Sequence, residues 1–431
     1  MKNHKESSHI TLENICRNVT NVNTDTFVGV EFRKDASGRQ ITVNFPLGYY
    51  ISDTEDELRD DIISLLKLLE QAKNKGNISM IDPNINNQLE YNPPLKAYFE
   101  VLSYFLNNGY YTEIEEEYKR GLSGPVNWKR TINKEKPYAS LDGFVYPVFH
   151  VRRKNDTEKD IITEINKYCV NESFDKVGWL FKQKQPLPFN HIPNLKKYEY
   201  IILNRLPQIN NDKIKLLFYA MLDIVRYSSS IKEIDTFNFG TNKFEHIWED
   251  LVNETFSNVD KDNFLPRTNW HLFSDKNKSN KALQPDTIME TDGSIYILDA
   301  KYYKYGITKK PSDLPASSSI HKQITYGEYI DENYDQYDGT NIYNAFILPY
   351  SLNSNIFTNK YDNYYFIGEA RSDWKMNDYT YEKVQGILID TKTIIKNKVK
   401  PNTIELNKLA TAIQQSIEKN RLLQSQDKPE K

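Results

Sequence analysis

The sequence predicts a mixed α/β protein, with a helix-rich α+β region ahead of a more regular α/β core. Segments with apolar residues at helical spacing recur along the chain. In its second half they alternate with short runs rich in β-branched and aromatic residues. The 431 residues are 39% hydrophobic and 27% charged, a mixture typical of globular proteins. A chain of this length predicts more than one domain, and we place the boundary between residues 1–205 and residues 206–431.

The first half combines clear helices with a segment of mixed character. Residues 55–74 place Leu58, Ile62 and Leu65 at helical spacing, with acidic residues early and lysines late, as the helix dipole favours. Further on, a Gly-rich turn precedes Trp128-Lys-Arg130, which predicts either a phosphate contact or a solvated basic turn. The expected elements are helices at 55–74, 95–107 and 157–169, turns and short strands over 108–155, and loops over 170–195.

The second half alternates helices and strands. Residues 241–256 carry Phe244 and Trp248 on one apolar stripe, with Glu245 and Glu249 four residues apart on its flank. This spacing predicts an amphipathic helix that presents one or both glutamates beside its buried face. The expected elements are helices at 211–228, 241–256 and 402–424, and strands at 342–348, 364–367 and 384–389.

Composition excludes several classes of protein. No apolar run approaches the length of about 20 residues that a bilayer span needs, so we expect no membrane association. The N-terminus lacks the apolar core of a signal peptide, and Cys16 and Cys169 are the only cysteines, so we expect a cytoplasmic protein without a disulfide scaffold. The net charge is −3, so nucleic-acid binding would need a local basic patch or a bound metal.

The segment 283–305 carries the most specific signal. Asp292-Gly293 between two β-prone runs predicts a hairpin with a two-residue turn. Opposed residues in such a hairpin have numbers that sum to about 585, so Asp286 faces Asp299 at the open end. Lys301, two residues further on, shares that face. The register therefore predicts two carboxylates and one ammonium on the same side of the hairpin.

Two opposed carboxylates destabilise a hairpin unless a cation lies between them. Mg²⁺ takes oxygen ligands, commonly one or two carboxylates with water and phosphate, and the backbone carbonyl of Ala300 would add another oxygen. Lys301 would then deprotonate or orient an attacking water and offset charge on phosphorus. The plainer alternative is an exposed Asp-x-Lys at a strand end with a simple salt bridge.

Pro285-Asp286 followed by Asp299-Ala300-Lys301 resembles the signature of the PD-(D/E)xK nuclease superfamily. The resemblance implies a restriction-endonuclease-like core over 206–431. It also implies that Asp286 and Asp299 hold Mg²⁺, with Mn²⁺ as a substitute, and that Lys301 serves the attacking water.

In that superfamily a glutamate on an earlier helix often completes the site. Glu245 and Glu249 are both candidates, and Phe244-Glu245 resembles the helix motif of McrC-like nucleases, which favours Glu245. Downstream, Gln323 and Tyr326 resemble a Gln and Tyr pair of RecB-like and McrC-like nucleases. This implies that Gln323 belongs to the catalytic site and that Tyr326, with Lys322, contacts DNA.

A more specific resemblance is to the nuclease component of LlaJI/BsuMI-type, McrBC-related restriction systems. It is carried by Ile-Leu-Asp299-Ala-Lys301-Tyr-Tyr and by the strand Phe346-Ile-Leu-Pro349. It implies a metal-dependent endonuclease that hydrolyses double-stranded DNA in defence against phage. It also implies that the region 1–205 binds DNA or an McrB-like GTPase. Because duplex cleavage needs two strand scissions, we expect a homodimer or assembly on such a partner.

Three alternatives remain at this point. A structure-specific repair or recombination nuclease would act on ends or branched DNA without a partner. A non-catalytic activator subunit of an McrB-like GTPase would keep the fold without cleaving. A plain nucleic-acid-binding module fits least well with the net charge of −3.

Overall fold

The structure is a computed structural model of the whole chain. It describes residues 11–22, 25–35, 38–75, 94–112, 115–140, 143–155, 161–182, 186, 188–230, 236–273, 278–353, 356–357, 364–375, 378–396 and 401–426. Most of the N-terminal segment on which the signal-peptide prediction rests therefore lies outside the described residues. Among these ranges, no helix combines the length and the apolar character that a bilayer crossing requires.

Helices and strands follow one another along the described residues, so the predicted mixed α/β class is confirmed. The helices are α1 (Glu55–Asn74), α2 (Leu95–Asn108), α3 (Trp128–Lys134), α4 (Ile161–Val177), α5 (Leu195–Arg205), α6 (Asp212–Ser230), α7 (Phe244–Phe256), α8 (Tyr305–Thr308), α9 (Ser317–Asn333), α10 (Thr391–Lys396) and α11 (Thr403–Gln426). The strands are β1 (Cys16–Asn18), β2 (Val28–Asp35), β3 (Gly38–Phe45), β4 (Glu115–Gly121), β5 (Tyr138–Ser140), β6 (Gly143–Val145), β7 (Phe149–Asn155), β8 (Thr236–Thr241), β9 (Asn269–Trp270), β10 (Lys278–Ser279), β11 (Thr287–Thr291), β12 (Ser294–Ala300), β13 (Ile342–Tyr350), β14 (Tyr364–Ala370) and β15 (Val384–Asp390).

The predicted helices and strands are largely present. One difference concerns the segment 170–195, which was expected to be loop-rich. There α4 continues to Val177, because Val170, Phe174 and Val177 extend its buried face by two further turns.

The chain forms two compact units. One contains Met1–Glu90 together with Asp235–Lys431, and the other contains Tyr91–Ile234. This division differs from a boundary at residue 205, because both ends of the chain enter the first unit. There β2 pairs with β3 on one side and with β8 on the other, in a sheet of order β1-β3-β2-β8.

The central sheet of the first unit has the order β11-β12-β13-β15-β14. The strands β12, β13 and β15 are mutually parallel, while β11 and β14 pair antiparallel at the two edges. The three parallel strands are buried almost throughout, as their near-continuous apolar sequences require. Their carboxyl ends meet at one edge of the sheet, which is where Asp299 and Lys301 lie.

The helix α7 is anchored against this sheet by its apolar stripe. Trp248 is fully buried, and its indole N–H donates to the carbonyl of Ile347 at 3.1 Å. Tyr302 packs against Phe244 and Trp248 at ring-centroid distances of 5.2 and 6.4 Å. The Tyr302 hydroxyl accepts a hydrogen bond from the backbone N–H of Leu47 at 2.7 Å. The N-terminal segment thus contacts the same residues that hold α7 beside β12.

The second unit is built around α2, α4, α5 and α6, whose buried faces pack together. It also contains two small two-stranded sheets, β4-β7 and β5-β6, with the short helix α3 against β7. These strands agree with the mixture of turns and short strands predicted over 108–155.

Candidate active site at the open end of a hairpin

The hairpin β11–β12 is closed by a turn whose two residues both require positive φ. Asp292 has φ 50° and Gly293 has φ 71°, the left-handed pair that a two-residue hairpin turn of this type uses. The strand pairing runs from Thr291 opposite Ser294 to Thr287 opposite Leu298, which confirms the predicted register. Asp286 comes one residue before the first paired residue of β11.

The register brings Asp286 next to the end of β12. Its Oδ2 accepts a hydrogen bond from the backbone N–H of Ala300 at 3.0 Å. The side chain of Asp299 is 4% exposed, and its Oδ2 lies 2.5 Å from Nζ of Lys301. Both acids and the lysine are therefore gathered at one edge of the sheet, as the hairpin geometry predicts.

Burial and like charge make this group of side chains electrostatically unusual. Burial, and then the charges of Asp299 and Glu249, raise the pKa of Asp286 to about 7. Burial alone would lower the pKa of Lys301, but Asp299 and Asp286 hold it above its ordinary value. Lys301 is thus held as an ammonium ion. Without a metal, this single positive charge does not fully balance the negative charge of the carboxylates at this edge.

The carbonyl of Ala300 points toward the acidic side of the site. The N–H of Lys301 donates to the carbonyl of Ile347 on β13, at 2.9 Å. In a trans peptide the carbonyl of Ala300 points away from that N–H, and so toward β11 and Asp286. The backbone therefore presents a third oxygen beside the two carboxylates.

The donor set fits a hard divalent cation that keeps part of its hydration shell. Asp286 is bonded to the backbone of Ala300, which directly follows Asp299, so the oxygens of these three residues belong to one edge of the sheet. Mg²⁺ characteristically retains several waters beside one or two carboxylates. Within the described ranges, no cluster of three or more His, Cys, Asp or Glu side chains is positioned to hold a metal by itself. A cage made of side chains alone is therefore not part of the described structure.

The two candidate glutamates of α7 face different surroundings. Glu249 is close enough for its charge to raise the pKa of Asp286, and it also lies 3.7 Å from Nδ1 of His246. The charge of Glu245 instead contributes to the raised pKa of Tyr302, after burial. The electrostatics therefore connect Glu249 with the acidic pair, whereas the sequence motif favoured Glu245.

The helix α9 carries two buried polar side chains, and the charges of the acidic pair act on one of them, Tyr326. Gln323 is 1% exposed, and neither its side-chain oxygen nor its nitrogen has a hydrogen-bond partner. The hydroxyl of Tyr326 is likewise buried without a partner, and burial followed by the charges of Asp299 and Asp286 raises its pKa. Lys322 lies over the ring of Tyr326, 5.6 Å from its centroid. Buried polar groups without partners are rare in folded proteins, so these atoms are available to a ligand or to water.

Sequence reasoning missed two residues that support the loop at Asp286. Lys261 donates from Nζ to the backbone carbonyl of Asp286 at 3.2 Å, and Thr287 donates from its hydroxyl to Asn253 at 3.4 Å. Neither Lys261 nor Asn253 belongs to a recognisable motif. Only the spacing of Asn253 four residues after Glu249, on the same helix flank, could have drawn attention to it.

Comparison with known proteins identifies the family of this chain. The family model of the LlaJI restriction endonuclease matches residues 35–389, which is most of the chain. The chain belongs to the LlaJI restriction endonuclease family. The resemblance predicted from the motifs of β12 and β13 is thereby confirmed.

A relative and a solved structure add detail. The type II restriction enzyme BsuMI component YdjA of Bacillus subtilis (strain 168) is 28% identical over 265 residues, which cover 58% of this chain and 56% of that protein. The match thus spans little more than half the length of this relative. The refined half-complex of Thermococcus gammatolerans McrB AAA+ hexamers with bound McrC aligns with 90% of this chain and 83% of that chain, at 14% identity and a TM-score of 0.34.

Proposed function

We propose that this chain is a Mg²⁺-dependent DNA endonuclease and the cleavage subunit of a bacterial restriction system, acting in the cytoplasm on double-stranded DNA. The observation that carries the proposal is the convergence of Asp286, Asp299 and Lys301 at the carboxyl end of β12. Membership of a restriction endonuclease family supports it. The order of helix, hairpin, helix and parallel strand supports a PD-(D/E)xK core.

Asp286, Asp299 and the carbonyl of Ala300 would hold Mg²⁺, or Mn²⁺ in its place. When bound, the ion would neutralise the carboxylates and act as a Lewis acid toward a phosphodiester oxygen. The acidic pair explains why a divalent cation is expected here. When no cation is bound, burial and mutual repulsion make it unfavourable for both carboxylates to be ionised.

Lys301 is positioned to act on the attacking water. Its ammonium group is fixed by Asp299 and carries its charge at neutral pH, since its pKa is raised. It would orient the water for in-line attack on phosphorus and offset the negative charge that develops there. The unpaired amide of Gln323 and the hydroxyl of Tyr326 would hold the water or a phosphate oxygen, and Lys322 would contact the DNA backbone.

The proposal includes assembly. A single site of this kind makes one strand scission, so duplex cleavage needs a homodimer or a partner subunit. The Bacillus subtilis relative is described as one component of its enzyme, which supports a multi-subunit system. We place an McrB-like GTPase as the partner that would supply nucleotide-driven assembly.

The proposal is tested with supercoiled plasmid DNA and Mg²⁺, using the chain alone and with the product of the neighbouring gene plus GTP. Lys301→Ala is compared with Lys304→Ala, a matched lysine three residues further along. We expect cleavage in the presence of the partner, lost in Lys301→Ala and kept in Lys304→Ala. The products should carry 5′-phosphate ends.

Other outcomes lead to other functions. Cleavage of branched or ended DNA by the chain alone would favour a structure-specific repair or recombination nuclease. No cleavage in any mixture, with GTP turnover of the partner stimulated equally by the wild type and by Lys301→Ala, would contradict the proposal. That result would favour a non-catalytic activator subunit.

A further inference from the structure

The second unit contains a small basic region. It comprises β4, α3, β5, β6 and β7, within residues 115–155. The strands β4 and β7 pair antiparallel, and α3 is tied to β7 because the N–H of His150 donates to the hydroxyl of Thr131 at 2.9 Å. The hairpin β5–β6 continues from α3, and all six of its residues are exposed.

The net charge of this region is positive, whereas that of the whole chain is negative. Residues 115–155 contain nine Lys and Arg and five Asp and Glu, an excess of four positive charges, while the whole chain has a net charge of −3. Glu135 is the one acidic residue among them whose side chain the structure describes. It is already engaged, because Nε of Arg120 donates to it at 2.8 Å and His150 lies 3.0 Å away.

The other described basic side chains are directed to solvent. Lys129, Lys134 and Lys136 are exposed, and no ion pair to any of them occurs in the part of the chain that the structure describes. The guanidinium of Arg130 lies over the ring of Tyr118, 4.6 Å from its centroid, which orients it without neutralising it. These four cations therefore form a local positive surface.

Aromatic side chains are exposed in the same region. Trp128 is 55% exposed, Tyr138 is 68% exposed and Phe144 is 75% exposed. Trp128 is held edge-to-face against Phe149, with ring centroids 5.6 Å apart, so its free face is presented in a fixed orientation. All six strand residues of the hairpin that carries Tyr138 and Phe144 are exposed, so core packing does not explain these aromatic residues.

We propose that the described residues of this region form a DNA-contact surface that prefers unpaired bases. Lys129, Lys134 and Lys136 would bind phosphates, and Tyr138 and Phe144 would stack on bases. Exposed aromatic rings interleaved with unpaired cations are the combination by which proteins hold single-stranded nucleic acid. An acidic protein partner would use the same charges but would gain less from the exposed aromatic rings. This surface extends the proposed nuclease function by giving its DNA substrate a second attachment.

The test is fluorescence anisotropy of the full-length chain with a labelled oligothymidine of about 20 nucleotides and with a duplex of equal length. Both are measured in EDTA, so that binding is read without cleavage.

The charge variant is Lys129→Gln with Lys134→Gln and Lys136→Gln. Its matched control, on exposed helix positions of the same unit, is Lys196→Gln with Lys197→Gln and Lys213→Gln. The aromatic variant Tyr138→Ala is matched by Tyr200→Ala, since both tyrosines are 68% exposed.

We expect the charge variant to bind the oligothymidine about tenfold or more weakly than its control. We also expect a shallower dependence of its affinity on salt. The slope of log affinity against log salt concentration should be smaller by about 2, as the loss of three phosphate contacts requires. Tyr138→Ala should weaken binding to the oligothymidine more than binding to the duplex, and Tyr200→Ala should change neither.

Several results would overturn the proposal. One is equal binding by the charge variant and its control. Another is binding to the duplex alone. A third is full competition by poly-aspartate together with no effect of Tyr138→Ala, which would indicate a docking surface for an acidic protein. Failure of the nuclease proposal would appear instead as missing cleavage in Mg²⁺ while binding in EDTA persists, so the two failures are distinguishable.

Discussion

At the residue scale, the site concentrates negative charge where the sheet limits access of water. Asp299 is nearly inaccessible, and Asp286 is held beside it by the N–H of Ala300. Ionising both in a poorly hydrated place costs free energy unless a cation is bound. The lysine at position 301 offsets only one of the two charges. The fold thus carries an electrostatic cost at this edge that a divalent cation would relieve.

Replacing Asp286 should reveal this cost. A raised pKa in the folded state means that the ionised carboxylate destabilises the fold, so stability is lost as pH rises from about 4 to about 7. We expect Asp286→Asn in EDTA at pH 8 to raise the melting temperature by a few degrees, and to abolish the further increase that Mg²⁺ gives the wild type. Differential scanning fluorimetry measures both effects. Asp292→Asn, at the opposite end of the hairpin, is the control and should behave as the wild type.

The two glutamates of α7 give a second prediction at this scale. The charge of Glu249 acts on Asp286, whereas that of Glu245 acts on Tyr302. We therefore expect Glu249→Gln to reduce Mg²⁺-dependent plasmid cleavage by about tenfold or more, and Glu245→Gln to reduce it much less. The reverse order of the two variants would show that the motif resemblance, and not the electrostatics, identifies the third acid.

At the scale of elements, the hairpin and its register could be predicted because their signals are local. Asp292-Gly293 determines the turn, and the turn determines which residues face each other. The orientation of α7 could not be predicted in this way. It depends on a hydrogen bond from Trp248 to Ile347 and on the contact of Tyr302 with Leu47, which join residues far apart in sequence. For that reason spacing alone did not separate Glu245 from Glu249.

A buried ion cluster joins α1 to α10, and its stability should depend on pH. Asp61 is fully buried, with Lys392 at 2.8 Å and Lys396 at 2.5 Å. Burial alone would raise the pKa of Asp61, but the hydrogen bonds from Lys392, Lys396 and Ser52 lower it. A depressed pKa in the folded state stabilises the fold at neutral pH, and this contribution is lost as pH falls below about 4.

We expect Asp61→Asn to reduce the free energy of unfolding by about 3 kcal/mol at pH 7, and by much less near pH 3. Urea denaturation at the two pH values measures the difference. The adjacent, exposed Asp60→Asn is the control and should be nearly neutral at both. An equal loss at pH 7 and near pH 3 would show that shape, not charge, holds the cluster together.

At the scale of the whole molecule, the first unit is built from both ends of the chain. The strand β8 pairs with β2, and the hydroxyl of Thr391 donates to the carbonyl of Leu47 at 2.9 Å. Composition and periodicity do not predict that the two ends of the chain pack together, because these contacts join residues that are far apart in the sequence. A boundary near residue 205 follows naturally from a linear reading, yet 206–234 belongs with the second unit.

This organisation predicts how fragments behave. A fragment of residues 206–431 lacks β2, the neighbour of β8, and lacks the partner of Lys392 and Lys396. We expect it to aggregate or to unfold without a cooperative transition, while a fragment of residues 91–234 melts cooperatively. Circular dichroism during heating distinguishes them. A cooperative transition of 206–431 near the temperature of the full chain would contradict the observed division.

The most direct measurement is single-turnover cleavage of plasmid DNA by Asp299→Asn in the assembled system with Mg²⁺, beside Asp292→Asn. Both substitutions remove one carboxylate from the same hairpin, but only Asp299 lies at the proposed metal site. We predict a loss of about a hundredfold or more for Asp299→Asn and a change of less than about twofold for Asp292→Asn. Full Mg²⁺-dependent cleavage by Asp299→Asn would contradict the assignment of this hairpin end as the active centre.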